Sequence, residues 1–188
     1  MKILQYLFIS LSHKILKILP YRLIRLLSVP IGTLYFLLTF RSSIKLFKRR
    51  KIFEKLKINY KPLIVKINYT RYWLETLWLT NKNFSKHITP HVEIENQEYV
   101  DKLKKQYPGL IFALPHLGNW EFAIPIGNSI KLNLLAVAEP LSNSYVLNWF
   151  KTLRESLGIE IIIGGKGQNT FELLLSLIHI SEPTRQDS

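Results

Sequence analysis

Cysteine is absent from this 188-residue chain, and only one residue is methionine. Without cysteine the protein has no disulfide scaffold, no cysteine-ligated zinc and no thiol nucleophile. Intrinsic disorder is excluded for a different reason, because 47% of the residues are hydrophobic and 12% are aromatic. A chain of this length and composition is expected to form one ordinary domain with a core of its own.

Acidic residues are nearly missing from the first third of the sequence. Residues 1–61 contain fourteen Lys and Arg but a single acid, Glu54, whereas basic and acidic residues balance in the remainder. The whole formal charge of +13 therefore belongs to this N-terminal third. Such a charge predicts an anionic partner, either a nucleic acid or a membrane surface. Large apolar residues alternate with the cations, which favours the membrane, because basic arms that bind nucleic acids are usually polar.

Charge is also absent from residues 26–40 (LLSVPIGTLYFLLTF), which lie between Arg25 and Arg41. A helix of this length measures about 22 Å, less than the bilayer core of about 30 Å. Pro30 interrupts the stretch. We therefore predict a membrane-embedded or interfacial, hairpin-like anchor instead of a simple straight span, preceded by an amphipathic helix over residues 2–19.

The next segment, residues 40–61, combines apolar residues at helical spacing with many cations. This pattern predicts an amphipathic helix that lies on anionic lipid. The alternative is a solvated charged face beside a protein core. We assign residues 1–61 to a basic hydrophobic membrane anchor, and the positive cluster after the apolar stretch predicts a cytoplasmic body.

The end of the chain has an unusual sequence. Residues 175–185 (LSLIHISEPTR) resemble the translation of a sequencing-library adapter. This resemblance predicts that residues 175–188 are a non-native tail and that the natural protein continues beyond Leu174 with other residues. The second domain, residues 62–174, is then C-terminally truncated.

Helical and strand patterns alternate through residues 62–174, and they predict an α/β fold. A βαβ succession of this kind gives a largely parallel sheet flanked by helices. Asn143 and Gly158 are suited to cap the last helix at its two ends. The predicted helices are residues 63–80, 96–107, 122–130 and 145–157, and the predicted strands are residues 110–114, 132–138 and 159–163.

His116 is the candidate for acid–base chemistry. It follows the first predicted strand, and Glu121 lies five residues later, an HX4E spacing. A histidine is the natural general base near neutral pH, and a neighbouring carboxylate fixes its tautomer and stabilises the imidazolium. The spacing alone also fits a structural histidine. His87 and His91 are separated by Pro90 and lack a nearby third ligand, so they are predicted to face solvent and not to bind a metal.

Two longer stretches carry more information than this spacing. LPHLGNWEFA at residues 114–123 and VAEPLSNSYVLNWFKTLRESLGIEII at residues 137–162 closely resemble the bacterial lipid A biosynthesis (lauroyl/myristoyl) acyltransferase family. This family is a branch of the HX4D/E glycerolipid acyltransferases. The second stretch is most similar to the phosphatidylinositol mannoside acyltransferases. The likeness covers roughly residues 53–174, and the hydrophobic N-terminal anchor also fits the family.

The resemblance implies a membrane-associated O-acyltransferase of lipid biosynthesis with a glycerolipid-acyltransferase-like fold. It implies that a fatty acyl group moves from an acyl carrier protein (acyl-ACP) or coenzyme A (acyl-CoA) thioester to a glycolipid hydroxyl. The acceptor would be lipid A or a phosphatidylinositol-mannoside-like lipid at the cytoplasmic face of the bacterial inner membrane. His116 would act as general base, and Glu121 would orient it. No bound cofactor, metal or nucleic acid is implied.

Three more residues are assigned to substrate binding: Asn119 within the motif, Glu139 of VAE and Arg154 of LRESLG. The alternative for Arg154 is a surface ion pair with Glu139 or Glu155. The family places a further functional acid and much of the acceptor pocket beyond Leu174, which implies that the 188-residue chain alone is inactive or nearly so. The alternative function is a non-catalytic basic protein that binds a membrane surface or a nucleic acid.

Overall fold

The computed structural model describes residues 1–40, 55, 61–107, 109–112 and 118–164, and it divides the chain into two compact units. The first, Met1–Phe84, is helical, and the second, Ser85–Ser188, contains helices and a parallel sheet. The mixed α/β class is thereby confirmed. The amphipathic helix predicted for residues 40–61 and the tail predicted for residues 175–188 fall largely outside the described residues, so both stay predictions.

Two N-terminal helices open the first unit. Helix α1 spans Lys2–Leu16 and helix α2 spans Tyr21–Leu38. The interruption predicted at Pro30 is absent, because α2 continues through this residue. A proline in a helix removes one backbone donor, and the loss is tolerated here because the next turns pack closely against a neighbouring helix. The apolar stretch is thus a continuous helix from Tyr21 onward.

The neighbouring helix is α3, Pro62–Trp78, which begins with proline in the first turn, where a missing N–H is harmless. It packs against α2 along a seam that contains Ser28 and Gly32, both buried. A Cβ on Gly32 would lie 2.6 Å from the Cα of Ile67, so only glycine permits this approach. Small residues let helices pack at close range.

The helical spacing of residues 63–80 predicts one apolar and aromatic stripe on α3, formed by Val65, Tyr69, Tyr72, Trp73, Thr76 and Leu77. This stripe is only partly buried. Thr76 and Leu77 are buried as expected, whereas Val65 and Tyr69 are exposed, and the buried face at that end is formed by Ile67 and Thr70. Although the sequence assigns α3 to the second domain, the helix lies in the first unit. The domain bounds themselves stay a prediction.

The second unit is built mainly from short elements. Its described helices are α4 (Phe84–His87, which starts at the boundary), α5 (Gln97–Gln106), α6 (Ala123–Ser129) and α7 (Ser144–Ser156), with 3-10 turns at Thr89–His91 and Trp120–Phe122. His87 and His91 are exposed, as predicted, but they lie in helical turns.

The described sheet has two parallel strands, β1 (Leu134–Ala138) and β2 (Ile159–Ile163), which pair from Leu134 with Ile159 to Ala138 with Ile163. Helix α7 connects them. The Asn143 side chain accepts a hydrogen bond from the Tyr145 N–H, which caps the start of α7, and Gly158 has a φ of +88° after its end. These features confirm the predicted βαβ unit.

One face of this sheet forms a small core of buried residues from α6 and β2: Ile124, Ile159 and Ile161. The strand predicted for residues 110–114 is not found where the structure can be described, because Leu110–Phe112 lie outside any strand. An apolar run in sequence does not supply the neighbouring strand that β structure requires. Ala113 and Leu114 lie outside the described residues.

Candidate active site

The HX4E segment ends in a tight, capped turn. Gly118 has a φ of +61°, a left-handed conformation that glycine adopts without strain. Asn119 follows, and its side-chain oxygen accepts a hydrogen bond from the Glu121 N–H at 3.3 Å. This cap starts the 3-10 turn Trp120–Phe122, which leads directly into α6. The residue types Gly118 and Asn119 favour a tight turn, the structure has one there, and it fixes the backbone that carries Glu121.

Glu121 is fully buried, with a relative exposure of 0%. Its carboxylate is held by Arg154 through two hydrogen bonds. The Arg154 Nε donates to Oε2 at 3.1 Å, and Nη2 donates to Oε1 at 2.6 Å. Two parallel charge-assisted bonds of this kind fix both the position and the plane of the carboxylate. A buried carboxylate requires such a partner, since the desolvation of an unpaired charge costs several kcal/mol.

Arg154 is itself held between aromatic side chains. It lies in the last turn of α7, and its guanidinium carbon is 5.0 Å from the centre of the Trp120 ring and 5.4 Å from that of Phe150. The guanidinium side chain is 16% exposed. Cation–π contacts with two rings restrict the side chain without using its N–H donors, so those donors remain directed at Glu121.

The surface pairing considered for Arg154 does not occur. Glu155 instead pairs with Lys151, at 3.6 Å, one turn earlier on α7. Glu139 is exposed and directly follows β1, and the described residues show no ion pair between it and Arg154. Arg154 is therefore joined to the motif acid, while the substrate-binding roles assigned to Asn119, Glu139 and Arg154 stay predictions.

His116 lies outside the described residues, so its predicted contact with Glu121 also stays a prediction. A carboxylate offers about four lone-pair positions, and the two hydrogen bonds from Arg154 use two of them. A third hydrogen bond to the same carboxylate is chemically compatible with the arginine pair.

Phe150 is the residue at this site that the sequence interpretation missed. It precedes Arg154 by four positions on α7, a separation at which helical side chains contact each other. This spacing was the available signal. Trp120, by contrast, is beside Glu121 in the motif. The sequence predicts a packing role for this tryptophan, and its ring contacts Arg154.

No cluster of three or more His, Cys, Asp or Glu that could hold a metal ion occurs within the part of the chain that the structure describes. At Glu121 the described residues form a carboxylate–arginine pair. A carboxylate held in this way is suited to orienting a base.

Comparison with known proteins places this arrangement in a family. The model of the bacterial lipid A biosynthesis acyltransferases matches residues 1–182, which extends past the start of the predicted adapter-derived tail. A phosphatidylinositol mannoside acyltransferase of Mycobacterium tuberculosis (strain CDC 1551 / Oshkosh) is 31% identical over 110 residues. The aligned part covers 57% of this chain but only 34% of that relative, so the match spans about a third of the curated protein.

No solved structure matches the chain. The two sequence matches confirm the family and the branch that residues 114–123 and 137–162 indicate. The family model covers nearly the whole chain, including both compact units. The chain therefore belongs to the bacterial lipid A biosynthesis acyltransferase family.

Proposed function

We propose that the whole protein transfers a fatty acyl group from an acyl thioester to a hydroxyl of a membrane glycolipid, an O-acyl transfer. The observation that carries this proposal is the fully buried carboxylate of Glu121, held in one orientation by Arg154 within the HX4E segment. A carboxylate that is immobilised by an arginine five residues after a histidine is suited to orient that histidine as a base.

In the proposed reaction, a nitrogen of His116 accepts the proton of the acceptor hydroxyl as its oxygen attacks the thioester carbonyl. A tetrahedral intermediate forms, the carbon–sulfur bond breaks, and the histidine returns the proton to the thiolate that leaves. Glu121 binds the other ring nitrogen and stabilises the imidazolium. Arg154 acts through Glu121, because it fixes the carboxylate that in turn orients His116. No nucleophilic side chain is required.

The substrates follow from the family and from the relative. The proposed donor is acyl-ACP or acyl-CoA. The proposed acceptor is a glycolipid related to lipid A or to a phosphatidylinositol mannoside, since the matched proteins carry those names. Glu139, at the end of β1, and Asn119 are the proposed polar contacts for these substrates.

The proposed location is the cytoplasmic face of the bacterial inner membrane, with anionic lipids as partners. Among the described helices one, Tyr21–Leu38, is long and apolar enough to cross a bilayer. The same test also admits core helices of soluble proteins and signal sequences, so this finding supports membrane association without defining its form.

The test uses the complete gene product, purified with its membrane lipids, and measures release of free thiol from an acyl thioester in the presence of glycolipid acceptor. We expect His116→Ala to reduce turnover by about 10³-fold or more, because proton transfer by a positioned base contributes about 10²–10⁴-fold. His91→Ala, which removes an exposed histidine, is the control and should leave turnover unchanged.

Unchanged acyl transfer in His116→Ala would refute the assignment of the base. Nucleic-acid affinity that falls steeply with salt and ignores the same substitution would favour the alternative of a basic nucleic-acid-binding protein. The 188-residue chain is assayed in parallel, because full activity of this chain would show that its own residues are sufficient for catalysis.

A further inference from the structure

The outer faces of α1 and α2 are apolar and exposed. On one side of α1, large apolar side chains recur at every third or fourth position. Each of them is about half exposed or more. On α2, exposed apolar residues cover the sides that do not pack on α3. The exposed residues include Leu4, Leu7, Phe8, Leu11 and Ile15 on α1, and Leu23, Leu26, Val29, Ile31, Leu34, Leu37 and Leu38 on α2.

Polar groups lie on the inner side of the same helices. The His13 ring contacts the carbonyl oxygen of Leu77 at 2.8 Å, and the Tyr21 hydroxyl donates to Glu75 at 3.0 Å. Ser28 has no exposed surface. Extended apolar faces exposed on two successive helices are unfavourable in water, but they are suited to contact with hydrocarbon.

Helix α3 accompanies α2 along nearly all of its length. Contacts extend from the Tyr21–Glu75 hydrogen bond at one end to stacked rings of Tyr35 and Tyr69, 6.2 Å apart, at the other. The close approach at Gly32 lies between them. The two helices are therefore antiparallel neighbours, and any layer that contained all of α2 would also contain most of α3.

Such a layer cannot be the core of a bilayer. Helix α3 carries Lys66, Arg71 and Glu75, and the Nε of Arg71 is a buried atom without a hydrogen-bond partner among the described residues. Each charged group placed in hydrocarbon carries a free-energy penalty. Helix α2 has an apolar face that is suited to lipid, but α3, which packs beside it, lacks the composition of a membrane-spanning helix.

We propose that the helical unit binds one leaflet of an anionic bilayer in the plane of the membrane, with the outer faces of α1 and α2 inserted and with α2 not crossing. The proposal rests on the membrane location proposed above and adds its geometry. The lipid chemistry follows from charge, since residues 1–40 contain five Lys and Arg and no acid. Cations beside an inserted apolar face bind anionic headgroups.

The absence of native cysteine permits a direct test. Single cysteines at Leu23→Cys and Leu37→Cys, both exposed on the outer face of α2, are labelled with nitrobenzoxadiazole. The labelled chain is added to preformed vesicles of phosphatidylglycerol and phosphatidylcholine, and dithionite, which does not cross the bilayer, is added outside. The two positions are about 21 Å apart along the helix.

We expect both labels to be quenched by shallow bromolipids and both to be reduced by external dithionite. If α2 crossed the bilayer, one of the two labels would be protected, and that result would overturn the proposal. A lack of bromolipid quenching at both positions would overturn it as well. Ser85→Cys, an exposed polar position, is the matched control and should show no bromolipid quenching.

A second measurement examines α1 and is independent of catalysis. Leu7→Asn together with Leu11→Asn should weaken vesicle binding about tenfold or more, since both side chains are exposed in the folded protein and are proposed to enter lipid. Unchanged binding would contradict the insertion of α1. His116→Ala should bind vesicles as the unaltered chain does, so failure of the acyl-transfer proposal leaves this result intact.

Discussion

Both compact units of the protein bury apolar residues, but the helical unit also exposes apolar faces on α1 and α2. In the helical unit, large apolar side chains of α1 and α2 face outward, and hydrogen-bonding groups such as Tyr21 and Ser28 lie between the helices. In the second unit, isoleucines of β2 and α6 form a conventional buried core. The helical unit therefore has a large apolar outer surface in addition to buried apolar residues such as Ile24, Leu74 and Trp78.

Among the described residues, Glu75 in the helical unit and Glu121 in the second unit are both buried carboxylates. Glu75 accepts a hydrogen bond from the neutral Tyr21 hydroxyl, whereas Glu121 accepts two from the charged Arg154. Hydrogen bonds from a charged donor are roughly twice as strong as neutral ones, and a bidentate pair also fixes orientation. A fixed orientation is what the proposed role of Glu121 in positioning a base requires.

Removal of the charge of Glu121 should have the largest effect on stability. Glu121→Gln leaves the Arg154 guanidinium without its anion, and breaking a buried ion pair costs about 3–5 kcal/mol. Glu155→Gln breaks the exposed pair with Lys151 on the same helix and should cost less than about 0.5 kcal/mol. Denaturant unfolding of both variants measures the two losses in free energy of unfolding. Equal losses would show that burial does not determine how much an ion pair contributes to stability.

Truncation of a core side chain should have the next largest effect. Ile161→Ala removes a side chain that is 5% exposed in the small core of the second unit, at a cost of about 3 kcal/mol. Leu11→Ala, at a position that is 60% exposed in the helical unit, should leave the free energy of unfolding in detergent nearly unchanged. A similar loss in both variants would show that Leu11 belongs to the core of the helical unit and not to its outer surface.

Addition of a methyl group at Gly32 should destabilise the packing of α2 on α3. In Gly32→Ala the new Cβ meets the Cα of Ile67 at 2.6 Å, so the helices must separate, at a cost of about 1–3 kcal/mol. Gly109→Ala serves as the control, because a Cβ there meets nothing within 4 Å. Thermal unfolding of the two variants compares them, and a stable Gly32→Ala variant would contradict the close seam.

The smallest expected effect is a pH dependence at the contact of α1 with α3. Burial is the main cause that lowers the pKa of His13 below 6.5, and the charge of Lys17 adds to it, although the hydrogen bond to the Leu77 carbonyl acts in the opposite direction. Because the carbonyl can only accept, Nδ1 carries the proton, and Nε2 of the neutral ring accepts from the Thr80 hydroxyl at 3.3 Å.

The unfolded chain therefore binds this proton more readily than the folded one. The contribution of His13 to stability is present above pH 6.5 and declines as the pH falls through the lowered pKa of the folded state. We expect the unfolding midpoint to decrease between pH 7 and pH 5, and this part of the decrease to vanish in His13→Gln. His91→Gln, at an exposed histidine, should keep the full pH dependence.

Local patterns predicted most of the described elements within a few residues. The apolar periodicity and the Asn143 cap located α7, and the alternation of apolar runs with turn residues located β1 and β2. These features depend on neighbours within a few positions, so sequence specifies them. The predicted break at Pro30 was wrong, and the strand predicted at residues 110–114 is absent from its described part, residues 110–112, because pairing and helix packing depend on distant segments.

The candidate active site shows the same difference between features set by neighbouring residues and features set by distant segments. Sequence supplied the HX4E spacing, the turn at Gly118 and the separate candidates Glu121 and Arg154. Sequence left the partner of Arg154 open, because the pair joins residues 33 positions apart. The contribution of Phe150 was missed for a related reason, since helical spacing indicates adjacency but does not indicate which side chain lies against the guanidinium.

The sequence by itself determined the family, the confinement of positive charge to the first third and the main helices and strands, since motifs, counts and periodicity are properties of the chain alone. Tertiary structure decided which way the apolar faces of α1 and α2 point and which cation neutralises Glu121. Both depend on what surrounds a side chain in space, and burial, desolvation and ion pairing are set by that environment.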